Sequence, residues 1–195
     1  MALIALVSHH SRDPLLDPRL ADEVFIDPSH HGALWNHRRA LEWAAEQSER
    51  VWVIEDDAIV PDDFRRRADR AAADHPDALI SGYLGRSRPP QWQSRIRAEI
   101  ESAERDGRRH VELPALLHGV CYSIPPAQIE RVLSRLSRPE ADYAIGAAWG
   151  APVIYTLPSL VDHSDTPSVE RHADGQIRHP GRTAWRPPIG GQPCQ

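Results

Sequence analysis

Apolar and polar positions alternate in blocks along this chain, switching between strand-like runs and helix-like periods. Ala2 to Val7 is an unbroken apolar run, the pattern of a strand buried on both faces, closed by the polar loop Ser8-His9-His10-Ser11-Arg12. Val24 to Ile26 is a shorter run, followed by Asp27-Pro28-Ser29-His30-His31-Gly32. From Ala33 to Gln47 the period turns helical, with Leu34, Leu41, Ala44 and Ala45 on one face of an Ala-rich segment. Val51 to Ile54 returns to a buried strand. Pro61-Asp62-Asp63 then predicts a helix through Ala73, with proline in the first turn and acids near the positive end of the dipole. Ala78 to Leu84, His118 to Ile124 and Val153 to Thr156 are further predicted strands. Trp92, Ile96, Ile100 and Ala103 line a helical face that Gly107 stops. Ile129, Val132, Leu133 and Leu136 follow at helical spacing after Pro125-Pro126, and a short helix covers Asp142 to Trp149. After His163 the chain is polar, rich in Pro and Gly, and without a clear period. Strands alternating with helices predict an α/β fold with a largely parallel sheet.

Composition narrows the class. A length of 195 residues fits one domain with a sizeable core. The net charge of −5 argues against a general nucleic-acid coat, which would be basic. All 23 basic residues are arginine, which excludes lysine as phosphate clamp, nucleophile or Schiff base. Cys121 and Cys194 stand in unrelated contexts, so neither a disulfide framework nor a thiolate zinc site is expected. The opening MALIALVSHH is too short in its apolar run, and lacks the basic stretch, for a secretory signal. No segment reaches the roughly 20 apolar residues of a membrane span, so a soluble cytoplasmic protein is expected.

Candidate chemistry concentrates in VWVIEDDAIV, residues 51–60, where Glu55, Asp56 and Asp57 follow the apolar run without a break. Carboxylates at the end of a buried strand are costly unless a cation or strong donors meet them. In open α/β sheets that edge is where ligands bind, so a divalent metal or a nucleotide sugar is expected here. Strand alternation puts Glu55 and Asp57 on one face and Asp56 on the other, making Asp56 a secondary or structural carboxylate. The competing explanation is an acidic strand-to-helix turn that caps the next helix, which serves one aspartate well and three acids poorly.

The run GALWNHRRALEWA, then VWVIEDDAIVPDDF, resembles the glycosyltransferase family that includes bacterial lipopolysaccharide galactosyltransferases. HGVCYSIPPAQIERVL, ADYAIG and YTLPSLVDHSD resemble later segments of that family, in order, over about residues 1–168. The short form, with YLG, a Trp-Gln loop and PSLVDH, also looks like glycosyltransferases carried by bacteriophages. The resemblance implies a single-domain GT-A-like, Rossmann-type fold, with residues 169–195 left as an irregular tail or lid. It implies transfer of a sugar from a nucleotide-diphosphate sugar, UDP-sugar foremost, to a hydroxyl acceptor, probed first as an inverting reaction. The acceptor stays open between a glycan, a virion protein and a modified DNA base, and the location becomes host cytoplasm if the gene is phage-borne. The alternative is a degenerate GT-A domain that binds nucleotide, sugar or protein without turnover.

By the same resemblance Asp57 ligates the metal, Glu55 faces the ribose or the donor sugar, and His163 in LVDHSD completes the metal site. An imidazole ligand suits Mn²⁺ better than Mg²⁺. Asp162 and Asp165 are the neighbours that compete with His163 for that role. Ser8, His9 and Arg12, with Asp27, Gly32, Asn36, Glu55 and Asp56, are the donor-binding candidates, Arg12 for a phosphate and His9 or His10 for the base. His37 is as well explained by packing. Asp142 is the expected general base; Asp56 and Glu140 are the other candidates, and an N-cap or a plain surface charge accounts for Asp142 equally well. The double histidines 9–10 and 30–31 raise zinc, but adjacent histidines on a strand point to opposite faces, so neither pair is expected to chelate alone. Trp92 in GRSRPPQWQSRIR suits stacking on a sugar or base, or simple anchoring of its helix.

Overall fold

The computed structural model describes residues 1–138, 140–165 and 181–188. Its centre is a seven-stranded sheet made of β1 (Leu3–His9), β2 (Glu23–Asp27), β3 (Val51–Glu55), β5 (Ile80–Ser81), β6 (His110–Leu113), β7 (Cys121–Ser123) and β8 (Val153–Thr156), in the order β2-β1-β3-β7-β5-β8-β6. β2, β1, β3, β5 and β8 run one way; β7 and β6 are antiparallel to their neighbours. Five helices flank it: α1 (Ala33–Ala45), α2 (Phe64–Asp74), α3 (Gln93–Arg105), α4 (Ile129–Leu133) and α5 (Ala141–Trp149). The expected α/β class, a mixed and mostly parallel sheet flanked by helices in one domain, is the fold adopted. No helix among the described residues is long and apolar enough to cross a membrane.

Strand alternation builds two cores. Ala5, Val7, Val51 and Val53 face α1, α3, α4 and α5, whereas Ile4, Leu6, Trp52 and Ile54 face α2. Burial on both faces is why these strands read as continuous apolar runs. At the opposite edge from the acidic triplet, Arg50 stitches three segments. Its guanidinium donates to the carbonyls of His75, Pro76, Ala78 and Ser123 and to Ser123 Oγ, and burial pushes its pKa down to about 10.

Several boundaries differ from the pattern. The second helix begins at Phe64 with Asp63 at its N-cap, because Pro61 to Asp63 form the preceding turn, closed by Phe64 N–H to the Pro61 carbonyl at 2.9 Å. The run 78–84 keeps only two strand residues. At Gly82 the backbone turns to bond Cys121 and Leu160 instead, and an added Cβ there would sit 2.7 Å from Cys121 Sγ. The run 118–124 keeps three strand residues, and they run antiparallel. The edge strand β6 was not expected; its alternation, Val111 and Leu113 buried, spans only four residues. Also unexpected is a two-stranded ribbon of β4 (Ala58–Ile59) and β9 (Asp162–His163).

Gly146 lies within α5, where its missing Cβ leaves room for Leu116; a Cβ would stand 2.7 Å from Leu116 N. Helix propensity favours Ala there by ~1 kcal/mol, but overpacking against backbone costs about 1–3 kcal/mol. Gly146→Ala is therefore expected to lower the urea midpoint at unchanged slope, the reverse of what propensity alone predicts.

Candidate functional site

The carboxyl ends of β1, β2 and β3 open on one edge of the sheet, and the acidic triplet sits at its middle. β3 ends at Glu55 and the chain turns through Asp56 and Asp57 into β4. β4 pairs with β9, Ala58 opposite His163, and Ser164 N–H donates to the Asp57 carbonyl at 2.9 Å. That pairing brings His163 Nε2 to 3.3 Å from Asp57 Oδ1, with both side chains buried. His163 Nδ1 is hydrogen-bonded to the Ser164 carbonyl, which can only accept, so Nδ1 carries a proton. Asp57 Oδ1 is buried and accepts no hydrogen bond. Since Arg182 meets His163 Nε2 at 2.6 Å, it is Asp57 Oδ1 that is left without a donor here. One ligand atom from each of Glu55, Asp57 and His163 lies within 4.8 Å of the others. Two carboxylates and an imidazole nitrogen are a donor set that fits Mn²⁺ or a similar divalent cation.

Two arginines share the edge. Arg12 reaches Asp57 Oδ2 at 2.6 Å and Asp56 Oδ1 at 2.9 Å. Arg182 lies 2.6 Å from His163 Nε2 and 3.5 Å from Asp57 Oδ2. Asp56 turns away from the cluster, as alternation predicts: its Oδ2 accepts from Ser8 Oγ at 3.0 Å and from His9 N–H at 2.9 Å. Burial raises the Asp56 pKa above the ordinary carboxylate value, more than those donors lower it.

Glu55 points to the other core. Its Oε1 meets His37 Nε2 at 3.3 Å, and His37 Nδ1 meets the Tyr122 hydroxyl at 3.1 Å with the two rings stacked. Gly119 makes room for this: a Cβ there would lie 2.6 Å from Glu55 Oε1. Burial alone would raise the Glu55 pKa, but His37, with His163 and Arg182 behind it, brings it below the ordinary value. His118 and Tyr83 complete the wall. His118 Nε2 accepts from Gly85 N–H at 3.2 Å, and burial lowers its pKa to about 3, so it is neutral. The Tyr83 hydroxyl donates to the Arg182 carbonyl.

Asp142 stands in the first turn of α5, two residues past the N-cap position held by Glu140, and accepts Tyr143 N–H at 2.8 Å. Burial raises its pKa to about 7, with Glu55 adding to the shift and Tyr143 N–H and His37 opposing it. The other donor candidates have local duties. Asp27 folds onto its own loop, accepting from Ser29 N–H and Gly32 N–H at 3.0 Å and meeting His31 Nδ1 at 2.9 Å. These donors outweigh burial and hold its pKa well below the ordinary value. Asn36 ties the first two strands together by donating to the Ser8 and Phe25 carbonyls. Gly32 takes φ +99° at the N-cap of α1, a conformation that favours glycine, with nothing near its missing Cβ. Asp162 accepts from His163 N–H and Ala184 N–H, and Asp165 from Gly181 N–H and Arg182 N–H, so the structure groups neither with Glu55 and Asp57. Trp92 packs on the core under the Arg95 guanidinium.

The polar C-terminal region contributes more than its pattern suggests. Ala184 bridges Gly85, Trp185 N–H donates to the Leu84 carbonyl at 2.9 Å, and Arg186 pairs with Glu104 at 2.7 Å. Arg182 thereby arrives at the carboxylates. Arg171 and Arg178, also candidates for a lid, lie outside the described residues. Sequence reasoning named Arg182 as one arginine of a C-terminal tail or lid, without placing it at the carboxylates, and it missed His118 and Tyr83 as site residues. Only His118 carried a signal, in its junction with Gly119.

A carboxyl held near 7 in the folded chain, against about 3.9 unfolded, binds more protons when folded. Its contribution to stability is therefore favourable at low pH and is lost as pH rises toward 7. Asp142→Asn is expected to raise the melting temperature relative to the parent at about pH 8, with the gain shrinking toward about pH 5; differential scanning calorimetry across that range reads the sign.

No family model and no curated protein matches the chain. Among solved structures, the crystal structure of A197 from STIV is similar, with a TM-score of 0.53 and 13% identity over 90% of this chain and 92% of that one. At that identity the likeness concerns the fold, the mostly parallel α/β sheet with its flanking helices, over nearly the whole of both chains.

Proposed function

We propose that the chain is a metal-dependent glycosyltransferase of GT-A type, taking a nucleotide-diphosphate sugar, UDP-sugar foremost, and a hydroxyl acceptor on a glycan or a modified DNA base. The observation that carries this reading is the meeting of Glu55, Asp57 and His163 at the carboxyl edge of β3, with Asp57 Oδ1 unbonded and His163 Nε2 turned toward it. Asp57 and His163 are the residues that would hold the metal, Glu55 beside them. When bound, the metal supplies Lewis-acid neutralisation of the charge that builds on a departing diphosphate.

The remaining roles belong to the protein. Arg12 and Arg182 keep positive charge at the same edge, where it favours a diphosphate. His37, fixed by Tyr122, orients Glu55 toward the donor. The Asp142 carboxylate accepts the acceptor hydroxyl's proton as the new glycosidic bond forms and the sugar–phosphate bond breaks. Its pKa of about 7 matches it to that task near neutral pH. A second reading, a degenerate domain that binds its donor without turnover, is favoured by one observation: Asp57 Oδ2 already meets two guanidinium groups.

Thermal unfolding with UDP, GDP, CDP, ADP and dTDP, with and without Mn²⁺, tests both. Ligand at about a hundred times its dissociation constant stabilises by ~2.7 kcal/mol, roughly 5–10 °C for a chain this size. A Mn²⁺-dependent rise with one nucleotide, abolished in Asp57→Asn together with sugar transfer, is the expected result. A rise indifferent to Mn²⁺ and to Asp57→Asn, without transfer, selects the binding domain. No rise in any condition overturns both.

A further inference from the structure

A second cluster lies along the same edge, beside the carboxylates, to which it is joined through the His9 backbone N–H on Asp56. β1 and β2 pair in parallel, His9 opposite Asp27, so the loops that follow them lie side by side. This turns two histidine pairs that do not chelate alone into one group of three rings. The His9 ring centroid is 4.3 Å from that of His10 and 4.3 Å from that of His30, and His10 and His30 are 5.2 Å apart. A ring nitrogen from each lies within 4.8 Å of the others. His31 leaves the group, bonding Asp27 and stacking on Trp35.

We propose that His9, His10 and His30 form a binding site for a first-row divalent cation that prefers imidazole, Zn²⁺ foremost, independent of the sugar-transfer reading. The protonation pattern suits it. His10 Nδ1 stands 3.1 Å from the Asp27 carbonyl, which can only accept, so Nδ1 carries a proton and Nε2 is the nitrogen that can face a metal. A backbone carbonyl on the far nitrogen is the usual support of a ligating imidazole. His9 Nε2 and His30 Nδ1 are 2.9 Å apart and share one proton. His9 Nδ1 faces Ser11 Oγ at 2.6 Å, a ready acceptor for that proton. Moving it there frees both nitrogens, at the loss of a 3.2 Å bond from Ser11 N–H.

The backbone supplies an independent observation. His30 has φ +56°, the one non-glycine residue with positive φ among the described residues, and its ring faces that of His9. His10 and His30 are exposed and can close the spacing onto a metal by side-chain rotation. Among the described residues no carboxylate joins them: Asp27 is taken up by its own loop and Asp56 by Ser8, His9 N–H and Arg12. Three nitrogen donors with a fourth position for water select Zn²⁺ over Mg²⁺ or Mn²⁺. Bound there, the ion would pin the loop that carries Arg12 to the loop that leads into α1.

Zn²⁺ titration of untagged protein against a chromophoric chelator tests the site. It is done in an Asp57→Asn background, so that the carboxylate cluster does not contribute. One equivalent is expected to bind there and to resist competition by Mn²⁺. Adding His10→Ala, or His30→Asn, which tolerates the left-handed backbone, is expected to weaken binding at least about tenfold, the lower range even for losses behind a ligand. Unchanged circular dichroism establishes that each variant is folded. Absence of Zn²⁺ binding in the folded Asp57→Asn protein, or binding indifferent to both histidine changes, overturns the proposal. Neither result bears on nucleotide binding by the parent.

Discussion

Three consecutive carboxylates at the end of a strand buried on both faces impose a demand that the rest of the chain has to meet. An unpaired ion in such a place costs several kcal/mol even after relaxation, against a net stability of only about 5–15 kcal/mol for a whole domain. The chain answers with groups from four separate parts: Arg12 from the loop after β1, His37 from α1, His163 from β9 and Arg182 from residues 181–188. Each is delivered by a different packing event. The first depends on β1 pairing beside β3, the second on α1 covering that pair, the third on the small ribbon, and the last on the C-terminal segment lying along Leu84 to Arg86.

The division of labour among the acids follows from the strand's period. Glu55 shares its face with Val51 and Val53 and so meets α1 and Tyr122. Asp56 shares the other and is absorbed by Ser8, the His9 amide and Arg12. Asp57, already in the turn, is left to the ribbon. One oxygen-rich and one nitrogen-rich cluster thus lie along a single sheet edge, separated by Asp56 and Arg12. Their donor chemistry differs enough that the same cation would not be first choice for both.

Much of this was legible in the chain. Long apolar runs and helical periods marked β1, β3, β8 and all five helices, because burial of a whole face leaves a repeating imprint. The acidic triplet was legible for the opposite reason, as charge where an apolar run should end in neutral residues. Two-residue strands such as β4, β5 and β9 leave no period to read, and β6 alternates over too few positions to stand out. The antiparallel sense of β7 is set by its neighbours in the sheet and not by Cys121 to Ser123 themselves. Arg182 was legible only as one arginine of a tail or lid; its place beside the acids was not, because it lies in a Pro- and Gly-rich stretch and its partners are Asp57, His163 and Tyr83, all distant in sequence. The grouping of His9, His10 and His30 likewise depends on the β1–β2 register, which no local pattern encodes.

The ribbon of β4 and β9 has a consequence in time. It joins a residue pair from the first third of the chain to one near its end, and closing so long a loop is entropically expensive until the sheet between them exists. The strands β1, β2 and β3 and the helix α1 are close in sequence and can assemble first, with Arg12 and His37 already beside the acids. His163 and Arg182 arrive only when the last segments dock. Competence at the carboxylates is therefore a report on completed folding, and a nascent chain holds the acids long before it holds the partners that finish the site.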